Sequence, residues 1–132
     1  MALEWINPSD VYEPNRSNYT QVVKATGSTQ VHVAGTVPWD KEKNLVGAGD
    51  MKAQVIQIMD NIGKSLAAAG AKPSDVVRIC VYAVDVDRYI QEGAAEVVRF
   101  FGDTKPVSTT FEVARLVRPD WLVEIEATAI VD

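Results

Sequence analysis

The sequence predicts an α+β domain in which one β-sheet carries two helices on one face. Three observations predict it. Two stretches near the C-terminus, residues 107–113 and 123–131, alternate with a period of two, as strands do. From residue 51 the apolar positions recur at helical spacing. The two kinds of segment interleave in the order ββαβαββ, and two helices of this size cover only one face of a sheet with that many strands.

Residues 1–6 can make a short strand, but Asn7-Pro8-Ser9-Asp10 and Glu13-Pro14-Asn15 favour turns and interrupt ladders, so the opening segment reads as a loop or lid. Residues 19–25 read as the first strand of the sheet. Gly27-Ser28 then makes a turn and residues 30–37 its antiparallel partner, the pattern of a hairpin closed by a short glycine-containing loop. Pro38 ends that strand, and residues 39–49, polar and with two glycines, lead to Asp50, which suits a helix N-cap. Met51, Val55, Ile58, Met59, Ile62 and Leu66 then form one apolar stripe, and the helix stops at Gly70 with Pro73 beyond it.

Residues 75–84 form a strand with Val77, Ile79, Val81 and Ala83 on one face and Arg78, Cys80 and Tyr82 on the other. The second helix fits residues 88–101, with Tyr89, Ala94, Val97, Val98 and Phe101 as its buried stripe and Gly93 as a weak point inside it. In the closing strands, Val123, Ile125, Ala127, Ala129 and Val131 share one face, and Glu124, Glu126 and Thr128 the other. Ser108, Thr110 and Glu112 group likewise, opposite Val107, Thr109, Phe111 and Val113. Read as neighbours, the two strands share a polar, carboxylate-bearing face. The helix-free side of the sheet is then expected to carry Arg78, Tyr82, Thr110, Glu112 and Glu124. Such a face is either solvated, as in many antiparallel sheets, or an oligomer interface with a cleft between subunits.

The chain of 132 residues is the size of one domain, 1–132, and its 47% hydrophobic content is that of a globular protein. A net charge of −5 and a pI near 4.8 provide no basic field for phosphates, so nucleic acid is not the expected partner. One cysteine, Cys80, forms no intrachain disulfide, and the N-terminus lacks a signal-peptide pattern, so a cytosolic protein is expected. No apolar run approaches the roughly 20 residues that span a bilayer, and no membrane role is expected.

Phe111-Glu-Val-Ala-Arg-Leu116 followed by Val123-Glu-Ile-Glu-Ala-Thr-Ala129 resembles the closing signature of the Rid/YjgF family. The similarity continues through Val31-His-Val-Ala-Gly-Thr-Val-Pro38, Asn61-Ile62, Asp75-Val-Val-Arg78 and Phe100-Phe-Gly102, and so covers nearly the whole chain. The family consists largely of imine and enamine deaminases. The resemblance implies a chorismate-mutase-like fold with a mixed sheet, assembled as a homotrimer with sites between subunits. It matches Glu124 to the glutamate that positions the family's water, Tyr19 to a site tyrosine, and Gly35 to a small-residue segment whose backbone approaches the ligand. Ser108 stands where the deaminases carry an arginine for the substrate carboxylate, Thr110 where a cysteine is frequent, and Gly93 or Ala94 near a common asparagine. A hydroxyl does not replace a bidentate guanidinium. The departure implies a different ligand, or an anchor such as Arg16, Arg78 or Arg115.

The candidate site is therefore Glu124 as the catalytic group, with Tyr19, Gly35, Ser108, Thr109 and Thr110 binding substrate. Each has a plainer reading. Glu124 and Glu126 suit structural ion pairs, the latter with Arg78 or Arg115; Tyr19 suits an interface aromatic and Gly35 a bulge. His32, flanked by Val31 and Val33, reads as a solvent-facing strand residue. With one histidine and one cysteine no metal site is expected. No phosphate-binding loop or other cofactor motif occurs, and Ser108 has no nearby histidine to act as its base. Three functions fit: hydrolysis of a reactive imine or enamine to a carbonyl compound and ammonia, non-catalytic binding of a small carbonyl or carboxylate metabolite, and, least suited to the acidic composition, ribonuclease action.

Overall fold

The apolar stripe beginning at Met51 is the centre of the core. The computed structural model describes residues 2–14 and 18–132. Helix α1, Met51–Ala68, starts at Asp50, whose side chain accepts a hydrogen bond from the Ala53 N–H. It ends where Gly70 takes a positive φ of 75°. There the amides of Gly70 and Ala71 reach back to the carbonyls of Ala67 and Leu66, which closes the helix end. All six stripe residues are buried, and Gln54 is buried with them. Its Nε2 donates to the carbonyls of Gly47 and Asp120 at 3.0 Å each, and its Oε1 accepts from the Leu122 N–H at 2.8 Å. One side chain thus ties α1 to the preceding loop and to the entrance of the last strand.

The strands are β1 (Ala2–Ile6), β2 (Val22–Thr26), β3 (Thr29–Thr36), β4 (Val76–Ala83), β5 (Val107–Glu112) and β6 (Val123–Val131). The main sheet has the order β3-β6-β4-β5, with β5 parallel to β4 and the other pairs antiparallel. It is a mixed sheet in an α+β fold, as expected. Ile79, Val81, Val123, Ile125, Ala127 and Ala129 are buried beneath α1 and its neighbours.

Four expectations are corrected. The hairpin of residues 19–25 with 30–37 does not form: β2 pairs with β1, from Ala2↔Thr26 to Ile6↔Val22, and β3 pairs with β6. Turn chemistry at Gly27-Ser28 is local, whereas Val31 and Val33 pack against the core from beside β6. Second, β5 and β6 are not neighbours, because β4 lies between them. A helical connection from β4 to β5 returns the chain parallel, next to the strand it left. Third, the second helix is two, α2 (Val86–Glu92) and α3 (Ala94–Phe101), parted at Gly93. A methyl group on Gly93 would lie 2.8 Å from Cγ2 of Val55, so at the break this layer packs on α1 too closely for a side chain.

The fourth correction concerns faces. Paired residues project to the same side of a sheet. Ser108 is opposite Ile79, Thr110 opposite Val81 and Glu112 opposite Ala83, so these three point to the helix side. The helix-free face instead receives Val107, Thr109 and Phe111 from β5, beside Arg78, Cys80 and Tyr82 of β4 and Thr128, Glu126 and Glu124 of β6. Phe111 stacks on Tyr82 there, with ring centroids 5.8 Å apart, and remains 48% exposed.

Candidate functional site

The sequence-predicted residues fall into two groups, one on each side of the sheet. On the helix side, at the β5 edge, a cavity of about 450 Å³ opens between β5 and the α2–α3 layer. Tyr19, Ser108 and Thr110 line it, together with Ile79, Tyr89 and Phe101. Tyr19 is brought there by Thr20. The buried Thr20 donates its amide to the Pro106 carbonyl at 3.2 Å and its hydroxyl to the Lys105 carbonyl at 2.6 Å, which lashes this segment to the start of β5. Burial pushes the Tyr89 phenol well above its usual range, so the hydroxyl stays protonated.

On the helix-free side, at the other edge, Glu124 lies against Gly35. The β3–β6 register shifts between Val33 and Thr36, and Gly35 sits in that irregularity. A methyl group on Gly35 would stand 2.1 Å from Oε2 of Glu124. The absent side chain is therefore the space the carboxylate occupies. Burial raises the Glu124 pKa above the usual carboxylate range, and the negative charge of Glu126 raises it further. Glu126 accepts a short hydrogen bond from the Tyr82 hydroxyl. Its partner is thus Tyr82, rather than the Arg78 or Arg115 of its plainer structural reading. Arg115 bonds the carbonyls of Leu116 and Val117.

The half-buried Glu124, its proton affinity raised, is suited to take up and release a proton, and the hydroxyls at the cavity are suited to hold a polar ligand atom. Within one chain the two groups do not meet. Thr109 lies on the Glu124 side, two strands away across β4. His32 is exposed on the same face, bonded to Gln30 and close to Thr128. Arg16 and Asn15 lie outside the described residues. Among the described residues, no group of three or more His, Cys, Asp or Glu side chains is placed to hold a metal ion. No helix among them is long and apolar enough to cross a membrane.

The sequence model described as endoribonuclease L-PSP matches residues 12–131. The chain belongs to this family, the Rid/YjgF family. The chain is 37% identical over 113 residues to a RutC family protein of Pyrococcus horikoshii, a match spanning 84% of this chain and 85% of that one. Among solved structures, YyfB of Yersinia pestis, a Rid family protein of unknown function, is similar with a TM-score of 0.93 at 32% identity, covering 99% of this chain and 100% of that one. RidA of an Antarctic Psychrobacter is similar with a TM-score of 0.68 at 27% identity, covering 86% of this chain and 88% of that one.

Two features of this Rid chain escape sequence reading. Thr20 as the anchor of Tyr19 leaves no motif, since its partners are backbone carbonyls 85 and 86 positions away. The Tyr82–Glu126 bond was open to inference only once β4 and β6 were known to be adjacent, because alternation alone put both residues on the helix-free face.

Proposed function

We propose that the protein is a cytosolic hydrolytic deaminase of reactive imine or enamine metabolites, working as a homotrimer with its sites between subunits. The observation that carries this reading is the Glu124 carboxylate, half-buried over Gly35 with its proton affinity raised by burial and by Glu126. In this reading Glu124 takes a proton from a water as the water attacks the C=N carbon. It returns the proton to nitrogen, and the carbinolamine collapses to a carbonyl compound and ammonia. Proton transfer of this kind contributes roughly 10²- to 10⁴-fold.

The separation of the two groups supports the subunit arrangement. The cavity belongs to the β5 edge on one face, and Glu124 with Gly35 to the β3 side on the other. A site that uses both takes its cavity from one copy and its carboxylate from the next. Contacts of unlike surfaces close into rings when the rotation between copies closes, and a trimer is such a ring. The exposed Phe111 on the helix-free face is the kind of apolar surface such a contact covers. Tyr19, Ser108 and Thr110 then bind substrate from the cavity side, Gly35 approaches it from the carboxylate side, and Thr109 lies toward the interface.

One observation favours a second reading. With Ser108 in place of the deaminase arginine, the site also suits a binder that holds a small carbonyl compound without turnover. Imines generated in the presence of semicarbazide separate the two, because a deaminase competes with trapping and lowers the initial rate of semicarbazone formation, the carbonyl product condensing more slowly than the imine. Loss of that competition in Glu124→Gln supports the enzyme. Equal semicarbazone with and without protein, together with ligand binding, supports the binder.

A further inference from the structure

We propose that the cavity at the β5 edge selects a neutral imine or carbonyl compound bearing an apolar group of about the size of a phenyl ring, and disfavours a carboxylate. This rests on the reading that the cavity forms the substrate half of the site. Among the described residues that line it, none carries a charge at neutral pH. Ile79, Val97 and Phe101 provide an apolar floor, and the polar contribution comes from neutral groups, chiefly the hydroxyls of Tyr19, Ser108 and Thr110. The Tyr89 phenol also stays neutral, because burial opposes its ionisation.

A carboxylate placed on such a floor leaves water without meeting a cation, which is the unfavourable case for a buried charge. Four described cations stand next in sequence to lining residues, and each is directed elsewhere: the Lys105 ammonium is bonded to the Gly102 carbonyl at the end of α3, Arg88 to Glu92 and the Gly49 carbonyl, Arg99 to Glu96, and Arg78 projects to the helix-free face. A neutral ligand meets no such penalty. A carbonyl oxygen or imine nitrogen accepts hydrogen bonds from hydroxyls, and an apolar substituent buried on Ile79, Val97 and Phe101 gains roughly 25 cal/mol per Å² removed from water. The volume of about 450 Å³ lies within the range of small-molecule sites and leaves room for more than a methyl group. Ile90, 58% exposed, continues the apolar surface at the rim.

The test uses two imines that differ by one carboxylate. Benzylamine oxidised by a flavin amine oxidase releases benzaldimine, and phenylglycine oxidised by a flavin amino-acid oxidase releases 2-imino-2-phenylacetate. Each is hydrolysed by one water to a carbonyl compound and ammonia, in competition with semicarbazide. The expected result is at least a tenfold preference for benzaldimine, and an equal or greater rate on 2-imino-2-phenylacetate overturns the proposal. Calorimetric titration with benzamide and with benzoate tests the ligand class apart from turnover. Tighter binding of benzamide, with neither imine hydrolysed, supports this proposal while removing the deaminase reading. Benzoate binding as tightly as benzamide, or no binding of either, overturns it. Ser108→Arg is expected to reverse the order of the two ligands, and Arg16→Ala to leave it unchanged. Benzoate binding that disappears in Arg16→Ala would identify a carboxylate anchor and sink the proposal.

Discussion

Gly35 and Glu124 share one volume: a methyl group on the glycine would lie 2.1 Å from the carboxylate Oε2, 3.0 Å from Cδ and 3.3 Å from Cγ. The nearest conflict is with the movable end of the side chain. Gly35→Ala is therefore expected to swing the carboxylate aside at little cost in folding, with turnover falling about 10²-fold as for a misplaced catalytic group. Turnover per folded molecule, with the melting temperature alongside, measures it. Unchanged turnover would show that Glu124 has no need of that position.

Glu124→Gln is expected to remove hydrolysis and keep the fold, because Gln preserves shape and reach but accepts no proton at neutral pH. Glu126→Gln keeps turnover and moves its acid limb. Glu126 raises the Glu124 pKa, so its removal lowers that pKa, and activity that needs the carboxylate form then appears at lower pH. Among the described residues of the main sheet, the other titratable or charged side chains on this face are Arg78, Cys80 and Tyr82 of β4 and His32 of β3. A pH–rate profile that does not move in Glu126→Gln would contradict the coupling.

The same shift predicts how stability depends on pH. Folded Glu124 holds its proton to higher pH than the unfolded chain does. Its contribution is complete below the usual carboxylate pKa and is lost as pH rises through the folded value. Glu124→Gln, which carries no charge, should therefore gain stability relative to wild type between acid and neutral pH. Thermal melts across that range test the sign, and a variant losing ground with rising pH would point to a structural ion pair instead.

Gln54 is expected to matter to stability rather than to chemistry. Gln54→Ala leaves the Leu122 N–H and the Gly47 and Asp120 carbonyls without their partner, and opens a hole in the core. The expected loss is about 2–4 kcal/mol in urea unfolding. A loss below about 0.5 kcal/mol would mean that water replaces the amide there.

Much of this was legible in the chain because it is local. The α1 stripe and the alternation of β6 follow from spacing alone, and both appear as read. Strand partners do not follow from spacing. A period of two says that Ser108 and Thr110 share a side, but which side depends on the register with Ile79 and Val81 across a parallel ladder. Their polarity pointed to the open face, while they in fact border a cavity. The apolar Phe111 took the open face and stacks on Tyr82. Glu124 was identifiable by its place in a motif, whereas its contact with Gly35 needed the irregular pairing of β3 with β6.

In the proposed site one copy supplies the cavity and another supplies Glu124. Co-expression of two variants tests it most directly: Ser108→Trp, which fills the cavity, and Glu124→Gln, which removes the proton carrier. Each alone is expected to be inactive on benzaldimine. In randomly mixed rings, about one quarter of the sites combine an intact cavity with an intact carboxylate from the neighbour, so about a quarter of wild-type turnover should return. Mixed assemblies as inactive as either parent would contradict the claim and place both halves of the site in a single chain.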